Sequence, residues 1–122
     1  MVAINVIILV LISVVLGAFG QISMKKGLKN KPIQFNELIT PKFFNTVFEP
    51  YVFLGALLYI AATLVWFVVL SNADLSFAYP LIGLGYIVTT LFAWGYLGEN
   101  VAFVRWLGII LVVVGAILIG RS

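Results

Sequence analysis

Hydrophobic residues along this chain gather into four runs, at 4–24, 51–70, 76–97 and 101–120, with polar or charged stretches between them. Each run is about 20 residues long, which as a helix spans about 30 Å, the thickness of a bilayer's hydrocarbon core. The pattern predicts an all-α membrane protein, a four transmembrane helix bundle in a single domain over 1–122. The first run lacks the basic start and short apolar stretch of a cleaved signal peptide, because its basic residues come after it. The segment between the first and second runs carries Thr40 and Pro41, a capping hydroxyl followed by a proline, which reads as a helix start. Phe43, Phe44, Val47 and Phe48 then share one side of a short interfacial helix in the first loop, which Pro50 is expected to end.

The third run is the least uniform. A helix that only anchors can be filled with Leu, Ile and Val, whereas this one interrupts them with Pro80, Gly83, Gly85 and three tyrosines, residues that loosen the backbone and admit neighbours. Helical spacing places Tyr79, Gly83, Tyr86 and Thr90 on one face, with Gly83 opening a notch between two phenol rings. Pro80 lacks a backbone donor, so the helix either starts there or kinks. In the first run Ser13, Gly17, Gly20 and Met24 form a strip of small and polar atoms with Gln21 at its edge. The Gln21 amide must find partners in lipid, either another helix or a substrate. Tyr59, Thr63 and Trp66 fall near one face of the second run, with Gly55 at the edge of that stripe. The fourth run has no polar side chain between Trp106 and Arg121, and its regularity is Gly108 and Gly115, a groove suited to helix contact. Stripes on the first three helices are therefore expected to converge on a lined interior, with the fourth offering an assembly face. Ordinary bundle packing is the competing reading of every stripe.

Composition then narrows the chemistry. Of 122 residues, 64% are hydrophobic and 9% charged, with a mean hydropathy of +1.23, far from the roughly one quarter charged residues of a soluble domain. Cysteine and histidine are absent, which removes thiol chemistry, disulfides and the usual transition-metal ligands; no cofactor or metal is expected. The acids are Glu37, Glu49, Asp74 and Glu99. None lies in the middle of a run, so no catalytic carboxylate pair is expected and the reading is not an enzyme. Asp74, in the short turn before the third helix, reads as its cap. The net charge of +3 comes from lysines beside one apolar run, not from a basic and aromatic patch, so nucleic acid is not an expected partner.

Charge also sets an expected topology. Lys25, Lys26, Lys29, Lys31, Lys42 and Arg105 fall on one side of a four-span bundle and Arg121 on the other. The excess of basic residues on cytoplasmic loops then places both termini outside the cytoplasm. The lysines either fix topology and touch anionic headgroups, or Lys25, one turn beyond Gln21, holds a phosphate at the mouth of the bundle.

Several motifs carry a resemblance. AYP at 78–80, Gly98 and Glu99 closing the third helix, and RWLGIILVVVGAILIG at 105–120 together resemble the drug/metabolite transporter superfamily, over nearly all the chain except the long first loop. Its small members include the small multidrug resistance proteins and the paired flippase subunits for aminoarabinose-linked undecaprenyl phosphate. The drug exporters use a carboxylate in helix one where Gly17 stands, and a tryptophan where Ile82 stands, so the resemblance gives no basis for binding a hydrophobic cation. GQISMK at 20–25, VLSNADLSFAYPLIGL at 69–84, and Glu99 with Arg105 and Trp106 look like the flippase subunits. That resemblance implies transport of a polyprenyl-phosphate-linked substrate across the inner membrane. Lys25 would take the phosphate, and Tyr79, Tyr86 and Trp66 a sugar face or isoprenoid tail. Glu99 would either pair with Lys25 until a phosphate displaces it, or cap the fourth helix. Gly108 and Gly115 resemble the dimer contact of the small exporters; given the charge bias, a heterodimer with a related four-helix subunit or a parallel homodimer fits. A small-solute or drug exporter, and a non-transporting accessory subunit among membrane lipids, are the competing functions.

Overall fold

The computed structural model describes residues 4–122. Its first helix, α1 (Ile4–Asn30), runs 27 residues, six beyond the expected end at Met24. Lysine is a good helix former, and its long stem lets the ammonium reach the headgroups from the last turn of a span. Lys25, Lys26 and Lys29 are therefore on the helix and not in a loop. A short 3₁₀ turn (Phe35–Glu37) and the seven-residue α2 (Pro41–Val47) follow. Pro41 occupies the first turn of α2 as expected, but the Thr40 hydroxyl donates back to the Glu37 carbonyl at 2.7 Å and caps nothing.

Pro50 opens the next helix instead of closing α2. At the first position of a helix a proline loses no hydrogen bond, and α3 (Pro50–Asn72) begins there. Glu49 caps it: one carboxylate oxygen accepts from the Tyr51 and Val52 amides at 2.9 and 3.0 Å, meeting two of the amides left free at a helix start and the positive end of the helix dipole. Ala73 and Asp74 make the tight turn into α4 (Leu75–Leu81). Here the expected cap fails. Asp74 stands at the capping position, but its side chain makes no capping bond and its backbone carbonyl serves Phe77 and Ala78 instead.

Pro80 lies inside α4, so of the two expectations the irregular helix is the one observed. The helix gives way to a 3₁₀ turn (Ile82–Leu84) and resumes as α5 (Gly85–Gly95); together they form one 21-residue span. At its end Gly98, with φ +73°, turns the chain so that the Glu99 amide reaches the Ala93 carbonyl at 2.9 Å. The last helix, α6 (Phe103–Gly120), starts at Ala102 without a side-chain cap, so Glu99 does not perform that role. Among the described residues four helices are long and apolar enough to cross a membrane, as expected for an all-α, multi-pass membrane protein.

Two helix pairs make up the bundle. α1 and α3 pack backbone to backbone: a β-carbon on Gly20 would stand 2.8 Å from the Gly55 carbonyl oxygen, and one on Gly55 would collide with Gly20 and Met24. Small residues at such a crossing let helices approach where lipid supplies no hydrophobic drive. The Ser13 hydroxyl adds a bond to the Ala62 carbonyl at 2.9 Å. α4 packs instead on α6, and the two pairs meet around Val10, Val69, Phe77, Ala78, Leu81 and Ala116.

Candidate functional site

Above that apolar cluster the pairs diverge and leave a cavity of about 460 Å³. Its walls come from three spans: Ser13, Gly17 and Gln21 on α1, Tyr59, Thr63 and Trp66 on α3, and Tyr79, Ile82, Gly85, Tyr86 and Thr89 on the broken span. Tyr59, Tyr79 and Tyr86 are all exposed, so the cavity is a cleft open at its side. Trp66 and Tyr79 meet edge to face, centroids 6.4 Å apart, at the end next to the apolar cluster.

The lining offers aromatic faces, hydroxyls and one amide. Thr63 and Thr89 hydroxyls donate within their own helices, to Tyr59 and Gly85 carbonyls at 3.0 and 3.2 Å, and keep lone pairs for a guest. The Gln21 amide and the Tyr59, Tyr79 and Tyr86 phenols make no hydrogen bond among the described residues. Among the described residues no acid or amine lines the cleft, so it presents neutral donors and acceptors beside π faces, a surface that suits a hydroxyl-rich ring more than a lone ion.

The expected wall residues Gln21, Tyr59, Trp66, Tyr79 and Tyr86 are thus brought together, while Pro80, Gly83, Lys25 and Glu99 are not. Gly83 faces away, against Val112 of α6, and Thr89 replaces Thr90. The cause is the 3₁₀ turn. With three residues per turn instead of 3.6, it advances the register so that 79, 82, 86 and 89 line the wall in place of 79, 83, 86 and 90. On the second span Gly55 leaves the stripe to meet Gly20, and Ala62 takes a place on the wall.

At the lysine end the expected Lys25–Glu99 pair does not form. Lys25 is exposed and makes no bond among the described residues, and Glu99 is half-buried with no ion-pair partner. Its neighbours do the joining: Lys26 donates to the Tyr96 hydroxyl while lying over the Tyr51 and Tyr96 rings, and Lys29 donates to the Leu97 carbonyl at 2.6 Å. Glu49 is the capping side chain that sequence reasoning missed. The signal was present, an acid directly before a proline, the same grammar applied at Thr40 and Pro41. On α6, a β-carbon on Gly108 or Gly115 would meet nothing within 4 Å; both face outward, where an assembly contact was expected.

A bundle of four spans beside a side-opening, uncharged cleft is the architecture of a polytopic membrane protein. The chain belongs to the EamA-like transporter family, which matches residues 1–121. It is also similar to proteins named "Probable 4-amino-4-deoxy-L-arabinose-phosphoundecaprenol flippase subunit ArnE". The one from Klebsiella pneumoniae is 42% identical over 59 residues, 48% of this chain and 53% of that protein. Those from Salmonella paratyphi B and Salmonella newport are 37% identical over 62 residues, 51% of this chain and 56% of theirs. The match thus spans about half the length of these curated relatives. No solved structure matches the chain.

Proposed function

We propose that the chain is one subunit of an inner-membrane flippase that carries a polyprenyl-phosphate-linked sugar between leaflets without chemical change. The observation that carries this reading is the cleft, wide enough at about 460 Å³ for a sugar, lined by phenols, an indole and an amide, and open toward the acyl region where a polyprenyl tail would remain. The names of the relatives point to the same cargo class. A proton-coupled cation exporter fits less well, because no carboxylate lines this cleft among the described residues.

In this reading Lys25, exposed one turn beyond Gln21 with no partner among the described residues, meets the phosphate. The basic end faces the cytoplasm and both termini lie outside it. The outward Gly108 and Gly115 face of α6 receives a second four-helix subunit, a related chain or a parallel copy.

The test is reconstitution in liposomes, alone and with a related four-helix subunit, following transbilayer movement of a labelled polyprenyl-phosphate sugar. Trp66→Ala and Tyr79→Ala should each slow movement about tenfold, the equivalent of about 1.4 kcal/mol of lost contact. Full movement in both variants, or proton-driven efflux of an organic cation by the purified protein, overturns the reading. Full movement with Lys25→Ala removes that lysine from the phosphate site.

A further inference from the structure

The first loop holds an apolar surface that none of the described residues covers. Within α2, Thr46 is 3% exposed and faces the bundle, while Phe44 and Phe48, one turn apart on the opposite side, are 64% and 68% exposed. This fixes how α2 is turned. Phe48 stacks on Phe53, ring centroids 6.0 Å apart with planes at 24°, and Phe53 begins a stripe on α3. Leu57, Ile60, Leu64 and Phe67 continue it at helical spacing, all five between 44% and 60% exposed. That stripe runs along most of α3 and is left exposed by the other helices, an apolar face of a membrane-spanning helix that suits acyl chains. The rings of α2 therefore prolong that apolar face. Beside them Phe35 and Ile39 are 89% and 97% exposed, and a Lys42–Glu37 ion pair at 2.7 Å ties their turn to the first turn of α2.

Charge at this end is one-sided. Lys25, Lys31 and Arg105 are exposed and have no ion-pair partner among the described residues, whereas of the acids at this end Glu37 is paired, Glu49 is buried as a helix cap and only the half-buried Glu99 is left without an ion-pair partner. A positive rim around aromatic side chains at the end of a span matches the acyl and headgroup boundary of a leaflet with anionic phospholipid.

We propose that residues 35–48 form an interfacial foot, with Phe35, Ile39, Phe44 and Phe48 set into the leaflet at the lysine end and the basic rim on its anionic headgroups. The foot holds the start of α3 against α1 at a fixed depth, and it stands independently of the cargo.

The chain has no cysteine, so Phe44→Cys, Ile39→Cys and, as a water-facing reference in the last loop, Asn100→Cys can each carry one nitroxide label. All three positions are exposed, so the variants leave buried packing intact. The full chain is placed in vesicles with and without phosphatidylglycerol, and collision with oxygen and with a water-soluble nickel chelate is measured. Labels at 44 and 39 should collide with nickel several-fold less than the label at 100 and more with oxygen, and adding phosphatidylglycerol should widen the gap. Nickel access equal to that at 100 places the loop in water and overturns the foot. Low access to both reagents means a protein surface, such as a second copy, covers the rings, and also overturns it. An unchanged gap on adding phosphatidylglycerol overturns the assignment to anionic headgroups.

Discussion

The two ends of the cleft are closed by different physics. Toward the Ala73–Asp74 turn, Val10, Val69 and Ala78 are fully buried, with Phe77, Leu81 and Ala116 closed around them. Every contact there is apolar and drawn from all four spans. Toward the lysines, α1 meets α5 through Phe19 and Phe92, edge to face at 5.4 Å, through the Lys26–Tyr96 bond and through Lys29 on the Leu97 carbonyl. These contacts are exposed. A close-packed cluster loses its dispersion contacts together once it parts, whereas an exposed hydrogen bond can be exchanged for water or a headgroup at small net cost. The α1–α3 pair and the α4–α6 pair therefore share a firm joint at one end and a weak clasp at the other, and the clasp is where the cleft should open.

The largest effect is expected at the joint. Ala78→Leu adds three carbons where no surface is free, and overpacking of this kind typically costs about 1–3 kcal/mol. Thermal unfolding of the purified protein in detergent should show a clear loss, larger than that of any clasp variant. An unchanged midpoint would mean the joint yields, and the contrast between the ends would fail.

An intermediate effect sharpens the contrast by showing that the lysine end is soft only where α1 meets α5. Glu49→Ala removes a cap that is 5% exposed and bonded to two amides, a loss of about 1 kcal/mol. Hydrogen exchange at the Tyr51 and Val52 amides should quicken while the amides of α5 stay as they were. Equal quickening in α5 would mean that the whole end moves as one body.

The sequence displays the four spans plainly, because a run of about 20 apolar residues has one reading at the membrane scale. The three wall strips were also legible in outline, since Gln21, Tyr59, Trp66, Tyr79 and Tyr86 follow helical spacing. What it hides is local. Pro80 announces an irregularity, but nothing in the letters says that the chain takes a 3₁₀ turn two residues later, and that turn sends Gly83 to α6 and brings Thr89 to the wall. The lysines were legible as a group and illegible one by one. Whether 25 or 26 reaches Tyr96 depends on a rotation of 100° about α1, which packing on α3 through Gly20 and Gly55 decides.

The smallest change in stability should come from Tyr96→Phe, and it tests the clasp directly. The substitution removes the hydroxyl that accepts from Lys26 but keeps the ring that Lys26 lies over and that meets Phe92 at 6.5 Å. Because the site is exposed, the midpoint should move by no more than the equivalent of about 0.5 kcal/mol. Access to the cleft should change more. In a Thr89→Cys background the protein has one thiol, set on the cleft wall, and its labelling by a water-soluble maleimide reports how often the lysine end parts. Tyr96→Phe should speed that labelling several-fold. A rate no different from the background would show that Phe19 with Phe92 and Lys29 on the Leu97 carbonyl hold this end without the Lys26–Tyr96 bond, and the weak clasp would have to be sought among those contacts.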